Sequence, residues 1–504
     1  MSPRLLLLLG LLGFGAVGCA KNAGCPSASA LCAEGLKPPP KRGVKSPGTA
    51  EISQERSFTG LPSPERVGET GKIESNFPLR DEKGVLVLNE LIQQALQSNP
   101  DVASALERIH IADAALAGAR AEFFPRLSVS ESYGISDNPV QTFMFQLNQA
   151  QLNFDQDFND PSLTDNFHTQ VLAQYNLYSG GRQMAAKRAA AAEREAAVSG
   201  LEGVQNQLVF RVTEGYYRLL QAHELLQIGR EAIEQVEHHL AIVQTRLRAG
   251  TAVKSDVLSV EVRLAEVQEA LIAARNRFEL AWMVLDNVVG APVPRQELPQ
   301  TVPPAPGSER VSELETLIEE ALRSRPEIGR LARKREAASA HIRAARAAHY
   351  PTLDLTAHYD AFTGDLASGD TNFFVGLVAQ LTLFDGGRTR SQIQQAQARL
   401  HKLNAQQRGL LSDIELDVRR AYLQLQEARE RLRVATGAVK QGRESLREIE
   451  IRYRAQMATL TELIDAQVAL SRARARFANA QAGIEIARSN LERAAGRLSD
   501  AFTA

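Results

Sequence analysis

The sequence predicts an α+β membrane protein in which each chain combines four transmembrane β-strands with long α-helical coiled-coil hairpins. Three observations predict this fold class: one unit occurs twice, each copy contains two alternating patterns of apolar and small or polar residues, and each pair of strands precedes a long helical pattern without proline. Four strands cannot close a barrel in lipid, because open strand edges are not tolerated there. Three copies of the chain would supply twelve strands and close the barrel.

The repeat is most evident in a six-residue stretch. Leu177–Arg182 reads LYSGGR, and 206 residues later Leu383–Arg388 reads LFDGGR. Farther upstream the offset is 226, which aligns Phe124-Pro125 with Tyr350-Pro351. The first repeat therefore carries twenty additional residues between its Phe-Pro and Gly-Gly pairs.

Each of these stretches ends a strand pattern and begins a helix pattern, so we expect it to be a strand-to-helix hinge. Glycine suits that position because it adopts backbone conformations that a Cβ atom penalises. The stretches lack the further glycines and the Lys-Ser/Thr pair of a phosphate-binding loop, which favours a hinge over a nucleotide site. The predicted hinge residues are Gly180, Gly181, Arg182, Gly386, Gly387 and Arg388.

The N-terminus has the pattern of an exported protein. A short basic start precedes an apolar run over residues 5–17, which is too short to span a bilayer as a helix. Cys19 lies where a lipoprotein signal places the cysteine that receives its lipid, and cleavage after Ala20 is the alternative. An oxidising compartment would permit a disulfide between Cys25 and Cys32, and two free thiols are the other interpretation.

The composition divides the chain into six segments. They are a signal peptide of the lipoprotein type (1–19), a disordered or loosely attached arm (20–85), a first repeat (86–290), a Pro-rich connection (291–312), a second repeat (313–497) and a short tail (498–504). After the signal, no stretch approaches eighteen consecutive apolar residues, so no transmembrane helix is expected. The net charge of −1 and the pI near 6.8 do not favour nucleic-acid binding.

Each repeat is expected to run in the order helix, two strands, long helix, helix. The first helix is predicted over residues 86–122 and its counterpart over residues 312–348, and the segment 136–166 is predicted to be a loop between strands. The closing strand of the second repeat continues its alternation as far as Leu383. After each Gly-Gly-Arg, roughly 70 residues without proline predict a helical rod about 100 Å long.

One strand residue departs from its pattern. Leu127, Val129 and Tyr133 lie in the alternation phase assigned to lipid, and Glu131 lies in the same phase. A charge that faces lipid is costly. Either that strand begins near the edge of the membrane or the assigned phase is wrong there.

The duplicated order of elements, the two hinge sequences, the two aromatic-Pro pairs and the loop sequences Asn159-Asp160-Pro161 and Asp165-Asn166-Phe167 resemble the outer membrane efflux proteins of the TolC family. The resemblance covers residues 86–497. It implies a homotrimer whose twelve-stranded β-barrel contacts the lipid of the cell outer membrane and continues into an α-helical barrel in the periplasm. It also implies an exit duct for substrates delivered by an inner-membrane pump of the RND, ABC or MFS type through a periplasmic adaptor, with no enzyme activity and no cofactor.

The same resemblance assigns roles to the helix turns farthest from the membrane, which in relatives form the periplasmic entrance and dock the adaptor. Gln456 stands in the second turn where relatives usually keep glycine, which leaves the geometry of that turn open. The implied adaptor-docking residues are Arg246, Arg248, Gly250, Thr251, Ser255 and Leu258 in the first turn and Arg452, Arg454 and Thr461 in the second.

Glu462 and Asp465 match the acidic positions that face the narrowest part of the entrance in relatives. In a trimer they would form two carboxylate rings that favour cations, and crowding of like charges would raise their pKa values. The alternative for both residues is a solvated helix start with Thr461 as its N-cap.

Asp256 and Tyr453 match positions whose hydrogen bonds hold the entrance shut in relatives. The basic partner that relatives carry nearby is replaced by Ala458. The resemblance therefore implies an entrance latch that is weaker than in those relatives.

Two other functions fit parts of the pattern. A periplasmic adaptor also has long helical hairpins, but it would normally carry one hairpin between the halves of a compact β-domain. A non-conducting coiled-coil envelope protein would show no strand alternation. Glu234 and His238 lie one helical turn apart and could hold a metal ion, but no second pair of ligands is evident, so a solvated helix face is favoured.

Overall fold

The computed structural model describes residues 85–295, 297–299, 302–304, 313–364 and 370–498. The predicted signal peptide, Cys19, the Cys25–Cys32 pair and nearly all of the arm lie outside the described residues. The helices and strands are α1 (Leu88–Ser98), α2 (Pro100–Ala121), β1 (Arg126–Ser136), α3 (Pro139–Asn148), β2 (Thr164–Ser179), α4 (Arg182–Arg248), α5 (Lys254–Val289), α6 (Leu314–Ser324), α7 (Pro326–Arg346), β3 (Thr352–Thr363), β4 (Asp370–Gln380), α8 (Arg388–Arg454) and α9 (Leu460–Ala495), with a 3₁₀ turn at Ala347–His349 before β3.

The two long rods, α4 and α8, dominate the molecule. Each has 67 residues, which corresponds to about 100 Å. Each rod folds back on a helix of 36 residues, so that α4 pairs with α5 and α8 pairs with α9. All four helix bounds of the second hairpin lie 206 residues after those of the first, as the sequence offset predicts.

The first helix of each repeat is broken, and the prediction of single helices over 86–122 and 312–348 is wrong in this respect. Pro100 begins α2 and Pro326 begins α7, where the missing proline N–H is not needed. The preceding residues, Asn99 and Arg325, are extended, with ψ of 128° and 125°. The Asn99 side chain also accepts a hydrogen bond from the backbone N–H of Asp101 at 2.8 Å.

The four strands form one antiparallel sheet in the order β1-β2-β3-β4. Leu127 pairs with Ala173 and Val129 pairs with Val171, so the apolar alternations of neighbouring strands share one face. The strand predicted to reach Leu383 is shorter than predicted, and β4 ends at Gln380. In the described part of the chain, no helix has the length and apolar character needed to cross a membrane.

The alternation phase assigned to Glu131 is correct. Glu131 pairs with Thr169 on the apolar face of the sheet, and its carboxylate accepts a hydrogen bond from the Thr169 hydroxyl. The opposite face is polar. There the buried carboxylate of Asp360 accepts a hydrogen bond from Gln170 at 2.9 Å and contacts the His168 ring nitrogen at 2.7 Å.

The segment 136–166, predicted to be a loop, contains the helix α3. Its N-cap is Asn138, whose side chain accepts hydrogen bonds from the backbone N–H groups of the next turn. At the other end of α3, the Gln149 side chain donates to Asn166 at 3.0 Å. Asn166 shares the phase of His168 and Gln170, so the insertion of the first repeat packs against the polar side of the sheet.

The largest apolar cluster lies where α1 packs between α4 and α5. Tyr216, Tyr217, Trp282 and Leu285 are buried there. The Tyr217 hydroxyl donates to the backbone oxygen of Pro303 at 3.0 Å, which ties the Pro-rich connection to the rod. A smaller cluster of valines joins α4 to α5 near the far end of the hairpin.

Candidate functional site

The end of the molecule farthest from the sheet consists of two helix turns with the same backbone hydrogen bonds. In the first turn, Gly250 N–H donates to Leu247 O at 3.0 Å and Thr251 N–H donates to Arg246 O at 2.9 Å. In the second turn, the residues 206 positions later repeat both bonds, at 3.1 and 2.7 Å. Such paired bonds satisfy the last carbonyl groups of a helix before the chain reverses.

Gln456 does not alter the second turn. Its φ is 59°, close to the 73° of Gly250, so a non-glycine residue occupies the same left-handed conformation. A side chain in this conformation costs about 1–2 kcal/mol relative to glycine. The second turn therefore keeps its geometry at the expense of local strain, and the geometry that the sequence left open is the same in both repeats.

The helix that follows the second turn is capped by Thr459, so the prediction of Thr461 as N-cap is wrong. Glu462 N–H donates to the Thr459 hydroxyl at 3.3 Å, and the Glu462 carboxylate accepts from the Thr459 backbone N–H at 2.6 Å. These bonds hold the pKa of Glu462 below its usual value, with the backbone bond from Thr459 as the largest cause. The raised pKa expected for the acidic ring concerns three neighbouring copies and stays a prediction.

Asp256 and Tyr453, the predicted latch residues, have different partners within the protomer. The Asp256 carboxylate accepts a hydrogen bond from Val253 N–H at 3.4 Å at the start of α5. The Tyr453 hydroxyl accepts from Arg246 Nη1 at 2.8 Å, and the Arg246 guanidinium lies 4.7 Å from the centre of the Tyr453 ring. Arg246, expected to dock an adaptor, is thus the residue that holds α4 to α8 at this end.

The other residues assigned to the entrance lie on the solvent-exposed surface of the protomer. Their positions in both turns leave them accessible to a partner protein. No group of His, Cys, Asp and Glu suitable for a metal ion occurs in the ranges that the structure describes. The exposed set is Arg248, Gly250, Thr251, Ser255, Leu258, Arg452, Arg454, Thr461, Glu462 and Asp465.

Three polar contacts above the turns connect the two repeats along α4 and α9. Glu231 forms an ion pair with Arg474, and Gln221 donates a hydrogen bond to Asn479 at 2.6 Å. The residue numbers of these pairs increase along α4 and decrease along α9, as expected for antiparallel helices. Sequence patterns did not indicate them, because the partners are separated by more than 200 residues.

The third contact of this series involves a buried histidine. His239 Nε2 lies 2.6 Å from the Gln467 side chain, and His239 Nδ1 is buried without a hydrogen-bond partner. Burial is the main cause that lowers the pKa of His239, and the neighbouring His238 adds to it. The neutral form of His239 is therefore favoured between the two helices.

The Gly-Gly pairs lie between the sheet and the rods, and all four glycines have positive φ values between 65° and 87°. Their surroundings differ between the repeats. A Cβ atom at Gly180 would lie 2.6 Å from the backbone oxygen of Ala347 and 2.9 Å from Tyr350 Cβ, whereas a Cβ atom at Gly386 would have no neighbour within 4 Å. Arg182 and Arg388 are the first residues of the two rods.

Comparison with known proteins identifies the family. Residues 91–291 and 317–497 match the family model described as outer membrane efflux protein. The chain belongs to the outer membrane efflux protein family. Because the matched residues make up most of the chain, the fold class and family predicted from the sequence are confirmed.

Individual proteins agree with this assignment. The pyoverdine export outer membrane protein OpmQ of Pseudomonas aeruginosa is 26% identical over 387 residues, covering 76% of this chain and 79% of OpmQ. The outer membrane protein TolC of Escherichia coli is 23% identical over 432 residues, covering 82% of this chain and 83% of TolC. Among solved structures, VceC of Vibrio cholerae shares the fold with a TM-score of 0.67 at 22% identity, covering 81% of this chain and 96% of VceC. The open state of MtrE of Neisseria gonorrhoeae shares the fold with a TM-score of 0.68 at 18% identity, covering 82% of this chain and 89% of MtrE.

Membership of this family defines the location and the general activity of the chain. It is an outer-membrane exit channel of an efflux or secretion system, and its long helices extend into the periplasm. The sheet is therefore the membrane part of the protomer, and the two helix turns lie at its periplasmic end. The relatives are channel proteins and not enzymes.

Proposed function

We propose that three copies of the chain form one duct, whose periplasmic entrance is built from the two helix turns. A periplasmic adaptor docks on these turns and connects the duct to an inner-membrane pump. The observation that carries the proposal is a difference between the repeats. Equivalent residues of the two rods are covered in the first repeat and exposed in the second.

The rod of the first repeat is covered by helices of the second. α4 packs against α7 on one side and against α9 farther down. Tyr217 on α4 is completely buried, whereas Leu423, its equivalent on α8, is 62% exposed. Ile228 is 7% exposed and its equivalent Val434 is 61% exposed. The α8 stripe of Leu416, Leu423 and Val434 thus lacks the cover that α4 receives within the protomer.

A matching uncovered stripe lies on α5. Ile272 is 63% exposed, whereas its equivalent on α9, Ala478, is 3% exposed. Leu280 is also exposed, and its equivalent Ile486 packs against the main apolar cluster. The α9-on-α4 contact inside one chain therefore supplies the template for an α5-on-α8 contact between two chains. Exposed apolar stripes of this kind mark interaction sites.

The hinge supports the same arrangement. Beside Gly180 the space is filled by Ala347 and Tyr350, which follow α7. Their equivalents in the first repeat are Ala121 and Phe124, at the end of α2. A neighbouring copy that places α2 against α8 would fill the open space beside Gly386. Because the contact joins different surfaces of the two copies, its repetition can close into a ring, and a ring of three copies would supply the twelve strands of the barrel.

At the entrance of such a ring, Glu462 and Asp465 would present three carboxylates each, and the Arg246–Tyr453 contact would hold the rods together in each subunit. A cation-attracting constriction follows from this placement. Adaptor hairpins would dock on the exposed turns. OpmQ is named for pyoverdine export and AprF of Pseudomonas aeruginosa for alkaline protease secretion. Cargo this different indicates that the pump, of the RND, ABC or MFS type, selects the substrate.

Disulfide crosslinking tests the assembly. In a background with Cys25 and Cys32 replaced by serine, Leu423→Cys combined with Leu280→Cys is expected to give covalent trimers in outer-membrane fractions. The control pairs Leu423→Cys with Val262→Cys, which is equally exposed but lies 18 residues along α5, about 27 Å away. Equal crosslinking of both pairs, or none of the first, would contradict the arrangement. Planar-bilayer conductance of the uncrosslinked trimer tests the duct itself.

A further inference from the structure

We propose that a groove on the outer surface of the rods, just below the sheet, binds the head group of an anionic phospholipid in the membrane leaflet that faces the periplasm. The groove lies between α2, α4 and α7, and Arg120 and Arg188 line it. This inference rests on the membrane position of the sheet and on the rods extending below it.

The start of α4 shows which side of the rod faces the channel. Arg182 and Gln183 line a cavity of 290 Å³ together with Gln174 and Thr356. Gln174 and Thr356 pair with each other on the polar face of the sheet. Because the opposite face carries the apolar residues that contact lipid, the polar face is the inside of the barrel. Arg182 and Gln183 therefore point inward.

Arg188 points the other way. It lies six residues after Arg182, which is a rotation of about 240° around the helix and an advance of about 9 Å along it. Arg188 consequently lies on the outer side of α4. The head-group layer on each side of a bilayer is about 5–8 Å thick. An arginine side chain at this depth can reach the phosphate groups of the leaflet above it.

The groove carries one more positive than negative side chain, since four arginines line it together with Asp113, Glu195 and Glu336. Arg194 pairs with Asp113 at 2.7 Å and with Glu195 at 2.9 Å, and Arg333 pairs with Glu336 at 3.0 Å. Across the described ranges, neither Arg120 nor Arg188 has an ion-pair partner within 4.0 Å. The groove, with a volume of 690 Å³, therefore carries surplus positive charge at the end nearer the membrane.

A third cation extends this charge toward the membrane. Arg343 lies two helical turns closer to the sheet than Glu336, on the same face of α7, and it is exposed. Arginine forms two parallel hydrogen bonds with a phosphate group, so Arg120 and Arg188 in the groove, with Arg343 between the groove and the sheet, suit a phospholipid head group.

A further feature indicates a membrane surface at this place. Tyr350, which is 57% exposed, lies two residues before β3. Exposed aromatic side chains next to arginine are typical of the membrane–water interface.

Native mass spectrometry of the purified trimer tests the site. Nanodiscs of phosphatidylglycerol and phosphatidylcholine in equal amounts provide both head groups, and retained lipid is counted after mild detergent extraction. The wild-type trimer is expected to retain phosphatidylglycerol preferentially. Arg188→Gln should lower that preference about fivefold, and Arg120→Gln/Arg188→Gln should lower it further. Arg188→Lys should keep most of it because the charge remains.

The matched control is Arg408→Gln, which removes an exposed arginine from the outer side of α8, 20 residues or about 30 Å below the hinge. This variant should retain the wild-type preference. Equal preference in Arg188→Gln and Arg408→Gln would overturn the proposal. Displacement of the retained lipid by millimolar inorganic phosphate would also overturn it, since the groove would then be a free-phosphate site. Conductance of the same preparations distinguishes failure of this site from failure of the channel.

Discussion

Arg246 and Tyr453 join the two repeats at the periplasmic end of the protomer, with the Arg246 guanidinium both hydrogen-bonded to the Tyr453 hydroxyl at 2.8 Å and stacked over its ring at 4.7 Å. A charged hydrogen bond contributes about 1.5–3 kcal/mol and a cation–π contact about 0.5–1 kcal/mol. This pair therefore holds α4 and α8 of one protomer together at the periplasmic end.

Removing the pair should allow the two turns of one subunit to separate, which would widen the entrance of the proposed trimer. Arg246→Ala is expected to raise single-channel conductance, and Tyr453→Phe should have a smaller effect because the ring contact remains. Arg248→Ala, an exposed arginine of the same turn, serves as the control and should behave as wild type. Equal conductance of all four proteins would show that the contact does not restrict the channel.

The two turns allow a reciprocal test of backbone strain. Gln456→Gly is expected to stabilise the second turn by about 1 kcal/mol, because glycine adopts the left-handed conformation without steric cost. Gly250→Gln should destabilise the first turn by a similar amount. Thermal unfolding of the trimer measures both. A loss of stability in Gln456→Gly would mean that the glutamine side chain has a favourable contact in the assembly.

The hinge glycines should respond differently in the two repeats. Gly180→Ala places a Cβ against Ala347 of its own chain and should impair folding of the protomer, whereas Gly386→Ala should leave the protomer intact and reduce the yield of trimer. The larger substitutions Gly181→Val and Gly387→Val, both at positive φ, should also lower the amount of outer-membrane trimer. The measurement is the ratio of trimer to monomer in membrane fractions. Normal trimer levels in the valine variants would contradict the role of these glycines as hinges.

The buried His239 predicts a dependence of stability on pH. Its pKa in the folded state is lowered by burial, so the unfolded chain binds the proton more readily. The contribution to stability is therefore complete above about pH 6.5, the ordinary histidine value, and is lost as the pH falls through the folded pKa.

The measurement is the melting temperature between pH 5 and pH 8. His239→Leu should reduce the loss of stability on acidification, and His238→Gln, which alters the exposed neighbour, should retain it. His223 is partly buried, and burial lowers its pKa as well, so some loss is expected to persist in His239→Leu. An identical pH profile in His239→Leu and wild type would exclude the histidine as the cause.

The acidic ring is best tested with a substitution that preserves the helix cap. Glu462→Gln keeps an acceptor for the Thr459 backbone N–H and removes the charge, whereas Glu462→Ala removes both. Glu462→Gln combined with Asp465→Asn is expected to weaken block of the channel by divalent cations. Single-channel recording with added divalent cation measures the block, and an unchanged block would contradict the acidic ring. Glu462→Ala should in addition lower the stability of the turn by about 1 kcal/mol.

Local patterns in the sequence were sufficient for much of the fold. The uninterrupted helical periodicity after Arg182 and Arg388 predicted both rods, and the alternation around Val129 and Val171 predicted the sheet and its apolar face. The helix breaks at Pro100 and Pro326 were predictable from proline chemistry, but the apolar period continues across them and suggested single helices. α3 was missed because a ten-residue helix inside a polar loop leaves a weak periodic signal.

The contacts between the repeats at the entrance could not be predicted. Arg246 and Tyr453 are 207 residues apart, and nothing in either segment indicates its partner. The start of α9 was misplaced by two residues because Thr459 and Thr461 are both acceptable caps, and only the fold shows which of them meets Glu462. The conformation of Gln456 was also hidden, since a turn held by its neighbours overrides the preference of one residue.

The polar contacts that join α4 to α9 and α8 within one chain are not repeated at the positions related to them by the repeat. Where the first repeat supplies Glu231 and the second Arg474, the corresponding positions hold Gly437 and Gln268, and the places of Arg246 and Tyr453 are taken by Arg452 and Leu247. In the proposed trimer, we therefore expect these polar contacts within each subunit and none of them between subunits. A movement between neighbouring subunits would then leave both contacts intact, whereas a separation of the two turns within one subunit would break the Arg246–Tyr453 contact.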